Sequence, residues 1–258
     1  MRMKTNKISI ITVVFNDFEN ISKTLESVKK QKENFNIEYI VVDGNSNDGT
    51  KEFLYEKRNI IDILISEKDD GIYDAINKGI KIATGEVVAL LHSGDVYSNT
   101  FAISDIANLF NTKKCNIIYS DCIIYDYLKN KIYRYYFSKF FSKKLMLLGW
   151  MPPHPGCFIE RQLFKNKLYS TQYKIASDFE FLFNLSLKLE IKWFRYEKIS
   201  VVMDNRGISS QLKNKILINK ELRDILKSYG KIFFSRIIFL RYFIRIFEFI
   251  YKPKTLID

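Results

Sequence analysis

The stretch SEKDDGIYDAINKGIKIATGEVVALLHSGD, residues 66–95, decides the architecture. Ile72, Ile76, Gly79/Ile80 and Ala83 recur at helical spacing, and Gly85 is placed to end the helix. The run EVVALL then reads as a strand that empties into His92-Ser93-Gly94-Asp95. Upstream lie two further apolar runs of the same kind, IDILISE and IEYIVVDG, the latter ending at Asp43. Ile8 to Phe15 is β-branched and continuous, as a parallel strand buried on both faces should be. Asn20 can cap a helix that carries Ile21, Leu25 and Val28 on one stripe. Strand and helix alternate throughout, which predicts an α/β fold with a mostly parallel sheet flanked by helices.

Composition bounds the rest. A chain of 258 residues with 47% hydrophobic content supports one large core or slightly more, and excludes a disordered or low-complexity class. Cys115, Cys122 and Cys157 are odd in number and lack CxxC spacing, so neither a disulfide framework nor a thiolate zinc site is expected. Basic residues precede Ile8, but the apolar run is short and ends in Asn16-Asp17 with no cleavage site, so it reads as a strand and not a secretion signal. Charge is uneven: residues 1–127 carry 15 basic and 19 acidic side chains, residues 128–210 carry 15 and 6, and residues 211–258 carry 11 and 4. Such a division suits a catalytic half joined to a half that faces membrane or acidic ligands, and no nucleic-acid partner is expected.

In open sheets of this type, ligands bind beyond the carboxyl ends of the strands. Asn16-Asp17, Asp43, Glu67-Asp69-Asp70 and Asp95 all fall there. Acids gathered on the ligand side point to a cationic ligand or a divalent metal bridging to phosphate. Some of them serve equally well as turn formers and caps, Asp48 included. No Walker sequence and no G-x-G-x-x-G is present, which argues against P-loop and dinucleotide sites.

VVDGNSNDGT, residues 41–50, together with residues 66–95, resembles the nucleotide-binding half of family-2 glycosyltransferases of the Rossmann-like GT-A fold. The likeness is nearest to the bacterial surface-polysaccharide branch, including colanic-acid-type enzymes. It is dense from Lys7 to Asn99, looser from 115 to 205, and absent beyond Ser210. The resemblance implies a hexosyltransferase-class enzyme with a GT-A domain over residues 1–210, its nucleotide-sugar half at 1–100 and its acceptor half at 101–210. Residues 211–258 are expected to form a basic, amphipathic, helical C-terminal extension.

By the same resemblance, Asp43 would hydrogen-bond the donor base near Val14 and Asn16, and Glu67, Asp70 and Lys78 would lie along the ribose and diphosphate. Ser93-Gly94-Asp95 matches the family's metal motif with Ser in place of the first acid, so Asp95 would supply the main carboxylate for Mg²⁺ or Mn²⁺. One carboxylate with diphosphate oxygens and waters is an adequate shell for such an ion. Asp178, in YKIASDFEFLF, is the candidate general base for an inverting transfer, because a sugar hydroxyl needs its proton removed as it attacks. Ser177 to Glu180 also reads as an S-x-x-E capping box, in which Asp178 only favours the helix terminus and the dipole keeps it ionised. His154, in PPHPG, is either an acceptor or pyrophosphate contact or a rigid-turn residue, and His92 is more plausibly structural.

Two segments bear on the acceptor. Between Tyr127 and Ile159, lysines and Arg134 interleave with aromatics without any acid, as a surface for sugar stacking beside a phosphate-bearing lipid carrier would. Single-stranded RNA, or a hairpin with solvated lysines, also fits. Residues 232–251 are too charged for a comfortable span, and Arg241, Arg245, Glu248 and Lys252 form one polar stripe opposite Phe233, Ile237, Ile244 and Phe247. That pattern predicts an interfacial helix, with residues 231–252 on the cytosolic membrane surface and a peripheral location at the inner face of the cell membrane. A helix packed on the domain or on a second subunit is the alternative. The expected partners are a nucleotide-diphosphate sugar and a glycan or lipid-linked acceptor in surface polysaccharide biosynthesis. Two rivals remain: a nucleotidyltransferase, which would need a basic Gly-rich loop that TVVFND lacks, and a non-catalytic membrane-docking protein.

Overall fold

The computed structural model describes residues 5–206, 212–236 and 238–253. Strand β1 (Ile8–Val14) is buried along its whole length and pairs in parallel with β2 (Ile37–Asp43) on one side and β4 (Val87–Leu90) on the other. Beyond β2 lies β3 (Ile63–Ser66), again parallel. The registers set Val14 beside Asp43 and Asp43 beside Ser66, so three strands end level and turn into the loops that carry polar residues. The predicted parallel α/β half is thus present, with helices α1 (Phe18–Lys32), α2 (Thr50–Glu56) and α3 (Ile72–Ile82) connecting the strands.

The second half extends the same sheet with mixed pairing. After the short β5 (Val96–Tyr97) and α4 (Ala102–Thr112), β6 (Ile117–Asp126) and β7 (Lys131–Tyr136) form a hairpin. Strand β8 (Cys157–Glu160) runs antiparallel between β4 and β6, while β9 (Trp193–Asp204) runs parallel to β6 and ends against β5. Apolar residues of α1 and α4 fill one face of the sheet; those of α3, α5 (Ser177–Ser186) and α6 (Leu212–Ser228) fill the other. This three-layer packing follows from the alternation, since each helix has one apolar stripe to bury.

The C-terminal segment joins this core. Leu222, Ile225 and Leu226 of α6 are buried with Phe179 and Phe183 of α5. The anticipated boundary at 210/211 falls outside the described residues, as does Ile237 of the predicted apolar stripe. Beyond α7 (Ile232–Arg236), α8 (Arg241–Ile250) packs along β7 with its polar stripe inward. Arg241 and Glu248 are 2% and 0% exposed, whereas Phe243, Ile246 and Ile250 are 61%, 52% and 65% exposed. The amphipathic helix is present and packs on the domain through its polar stripe, which leaves its apolar face exposed.

Candidate active site

A cavity of about 840 Å³ opens at the carboxyl ends of β1 and β4 and runs across to β7, α5 and α8. Val14, Asn16, Ser93, Gly94, Asp95, His154 and Asp178 all line it. Seven of the sequence-derived candidates therefore meet in one place. Asp43, Glu67, Asp70 and Lys78 do not line it; Phe15, Asp69 and Gly71 form the wall there.

The acid at the end of β2 acts through its neighbours. Asp43 is fully buried, and its carboxylate accepts from the Ser46 amide at 3.2 Å, the Ser46 hydroxyl at 2.5 Å and the Ser66 hydroxyl at 2.7 Å. Ser46 Oγ in turn accepts from the Asn16 amide at 2.8 Å. Asn16 is held at φ 49°, where Asn is tolerated, and its side-chain oxygen accepts from the Asn47 amide at 2.9 Å. Asp43 thereby fixes the loop that forms the cavity floor. Outside the wall, Lys78 Nζ lies 2.9 Å from Glu67 Oε1 and 3.4 Å from Asp74 Oδ2, and these carboxylates, Glu67 foremost, hold its pKa up.

The tight turn from His92 to Asp95 depends on Gly94, whose φ of 89° suits only glycine well. The Gly94 amide donates to Thr24 Oγ1 at 2.9 Å, and the Asp95 amide donates to the His92 carbonyl at 3.0 Å. Asp95 is 5% exposed, and its Oδ1 accepts from the Asp204 amide at 3.0 Å. Burial above all, with the Asp204 and Asp17 charges adding, pushes its carboxyl up to about 8. Ser93 stands where the motif usually has an acid, and its hydroxyl donates to Asp17 Oδ2 at 2.7 Å. Two carboxylates that the motif alone does not predict, Asp17 and Asp204, thus border the same pocket. Asp204 is itself paired with Arg206 at 2.8 Å.

This arrangement fits a divalent cation shared with a diphosphate. Among the described residues no three acidic, imidazole or thiolate side chains form a cage that could hold a metal alone. A buried carboxylate with a raised pKa, open to the cavity and flanked by like charge, is stabilised by an added cation. Asp95 would be the ligand, with diphosphate oxygens and water completing the shell.

Across the cavity, Asp178 sits in the first turn of α5. Its Oδ1 accepts from the Phe179 amide at 2.7 Å, and Tyr73 Oη lies 3.2 Å from the same oxygen and 2.6 Å from the Ile175 carbonyl. Burial pushes the carboxyl up to about 6 despite those hydrogen bonds, so desolvation outweighs the helix dipole. The capping box is not formed. Among the described residues Ser177 Oγ has no hydrogen-bond partner, and Glu180 is engaged by Lys167 and by Tyr229 Oη at 2.6 Å. The segment entering α5 is held instead by Glu221 of α6, whose carboxylate accepts the amides of Lys174, Ile175 and Ala176 at 2.8, 3.0 and 2.9 Å. A carboxylate 45 residues downstream leaves no local spacing signal, which is why sequence reading misses it.

His154 is buried; its Nε2 lies 2.8 Å from Tyr169 Oη, and its ring is 6.4 Å from that of His92. Burial pushes both imidazoles down to about 4, keeping them neutral. Of the interleaved basic and aromatic side chains of residues 128–144, Arg134 and Tyr136 reach the cavity, whereas Lys129, Lys131, Lys139 and Lys144 are exposed.

Residues 9–171 match the model of glycosyl transferase family 2. The chain belongs to that family. An uncharacterized glycosyltransferase of Mycobacterium tuberculosis is 35% identical to this family member over 106 residues, 41% of this chain and 40% of the relative. The family 2 chain thus aligns with about two fifths of the length of that curated relative. Among solved structures it is similar to Staphylococcus aureus TarS 1-349 in complex with UDP-GlcNAc, with a TM-score of 0.65 and 17% identity over 92% of this chain and 72% of that one. It is also similar to the Pyrobaculum calidifontis mannosyltransferase PcManGT in complex with GDP-Man and Mn²⁺, with a TM-score of 0.62 and 14% identity over 92% and 69%. At those identities the structures establish the GT-A architecture for this family 2 chain; the colanic-acid-type branch is not singled out by the relatives.

Proposed function

We propose that this chain is an inverting glycosyltransferase that moves a sugar from a nucleoside-diphosphate donor to a hydroxyl of a glycan or lipid-linked acceptor in surface polysaccharide assembly. The observation that carries the reading is the meeting in one cavity of Asp95, buried at the end of β4, and Asp178, half-buried in the first turn of α5. A donor laid over the ends of β1 and β4 would rest on the Asn16 loop and Phe15, which is 63% exposed and offers a ring for the base. Asp95 would hold the divalent cation, which when bound neutralises charge on the departing diphosphate.

Asp178 is the base in this reading. A carboxyl near 6 is largely ionised at neutral pH yet basic enough to take a proton from an attacking hydroxyl. Its role as a single base, together with the family resemblance, favours one displacement with inversion. Tyr73, Phe179 and Glu221 act as positioning residues, the last through the backbone it clamps. His154, neutral and tied to Tyr169, offers its other ring face as a wall for the acceptor.

Membrane association belongs to the same proposal. Among the described residues no helix is long and apolar enough to cross a membrane. The exposed apolar face of α7 and α8, flanked by exposed Arg236 and Lys252, suits shallow insertion beside anionic headgroups. Incubating the full chain with Mn²⁺ and a panel of UDP- and GDP-sugars tests the catalytic reading. Release of nucleoside diphosphate, with the product's anomeric configuration opposite to the donor's by NMR, is the expected result. Formation of nucleoside triphosphate and sugar 1-phosphate only when pyrophosphate is added would instead favour a nucleotidyltransferase, and no turnover or donor binding at all would remove the enzyme reading.

A further inference from the structure

We infer that Arg134, Arg241 and Arg245 form an anion subsite in the acceptor half of the cavity, suited to a phosphate carried by the acceptor. The inference rests on the glycosyltransferase reading and deepens it. All three guanidinium groups line the same cavity as Asp95 and Asp178. Among the described residues the one carboxylate paired with them is Glu248, and it is committed: Arg134 Nε donates to its Oε2 at 2.5 Å, and Trp150 Nε1 stands 3.4 Å from its Oε1. Among the described residues, Arg241 and Arg245 each keep a buried Nε with no hydrogen-bond partner. Arg241 is only 2% exposed.

Glu248 is shared between Arg134 and Arg245, and Arg241 has the Tyr242 hydroxyl beside it, so the three guanidinium groups outnumber their carboxylate and are costly in a cavity wall unless an anion offsets the excess. Burial first, and then Arg245, press the Arg241 guanidinium down to about 10, in keeping with that excess. Guanidinium forks match phosphate oxygens in paired hydrogen bonds, which lysines on an open surface would not. The donor side of the cavity carries the opposite character, with Asp17, Asp95 and Asp204. The arginines therefore divide the cavity into an acid-lined donor end and a cationic acceptor end. Because α8 turns Arg241 and Arg245 inward while Phe243 and Ile246 face out, an apolar chain leaving the phosphate would find the exposed face of the same helix.

Trp150, packed beside Glu248, gives an intrinsic fluorescence reporter. Titrating the full chain with farnesyl phosphate, farnesol and inorganic pyrophosphate, in wild type, Arg241→Gln and Arg245→Gln, tests the subsite. Farnesyl phosphate should bind at least about tenfold more weakly to each variant, as loss of a charged hydrogen bond predicts, with UDP and GDP affinity unchanged. Pyrophosphate binding with the same arginine dependence and no gain from the chain would support the subsite and assign it to a soluble phosphorylated acceptor. Arg245 is only half-buried, so Arg245→Gln remains informative if Arg241→Gln does not fold. Farnesol binding as tightly as farnesyl phosphate, or unaltered phosphate binding in Arg245→Gln, would overturn the inference. So would loss of nucleotide affinity in the variants, which would give the arginines to the donor. Failure of wild type to bind any nucleotide, with arginine-dependent phosphate binding intact, would instead sink the glycosyltransferase reading alone.

Discussion

At the residue scale, the two walls of the cavity use burial to set carboxylates against each other. Asp178 owes its pKa of about 6 chiefly to desolvation, with hydrogen bonds from Phe179 and Tyr73 pulling it back. If it removes the acceptor proton, kcat/KM should be level above pH 6 and fall about tenfold per unit below it, following the fraction ionised. The sign for stability is opposite. A carboxyl whose folded pKa lies above its unfolded value loses stability as pH rises from the unfolded pKa to about 6 and carries the full cost above that, so Asp178→Asn should be no less heat-stable than wild type at pH 7. Glu221 is a different case, because three backbone amides depend on it. Glu221→Ala should lower unfolding free energy by about 1–3 kcal/mol and depress turnover more than nucleotide binding, measured by thermal unfolding and by calorimetric titration. Asp95 and Asp178 were legible in the sequence because each lies in a recognisable string. Asp204 and Glu221 were not, since their contacts join positions 109 and 45 residues apart; Asp17 was placed by its strand end, but its bond to Ser93 left no local signal.

At the element scale, the strands and first helices follow directly from pattern: β-branched runs too short for helices, separated by stripes at helical spacing. The hairpin of β6 and β7 was one of several readings of the aromatic, basic segment, and its solvated lysines are what the structure retains. Helix α8 shows where pattern stops. Periodicity identifies a polar stripe and an apolar face, but it does not say which one meets the protein. Here the partner is a cavity wall carrying Arg134 and Trp150, so the polar stripe goes inward. Gly149 permits that docking. At φ 76°, a Cβ there would stand 2.6 Å from Ile238 Cγ1. Gly149→Ala should therefore loosen the C-terminal helices at a cost of about 1–3 kcal/mol, visible as faster amide exchange in residues 238–253 with β1 and β2 unchanged.

At the scale of the whole molecule, one sheet carries two kinds of ground: a parallel half that presents acids at its strand ends, and a mixed half that brings arginines and an exposed apolar face to the other end of the same cavity. That division agrees with the charge asymmetry along the chain. If the outer face of α8 meets lipid, replacing Phe243 and Ile246 by Ser should cut sedimentation with anionic vesicles by roughly tenfold or more per residue. Donor turnover on a water-soluble acceptor should be retained, because both side chains point away from the cavity. Undiminished sedimentation would assign the face to a protein partner.

The most direct measurement is a paired one on Asp178→Asn: nucleotide release with donor, acceptor and Mn²⁺, and calorimetric binding of the same nucleotide. The account predicts a fall in turnover of about 10²–10⁴ with nucleotide affinity within twofold of wild type. Turnover within tenfold of wild type would contradict it, and would remove Asp178, and with it the two-walled mechanism, from this protein.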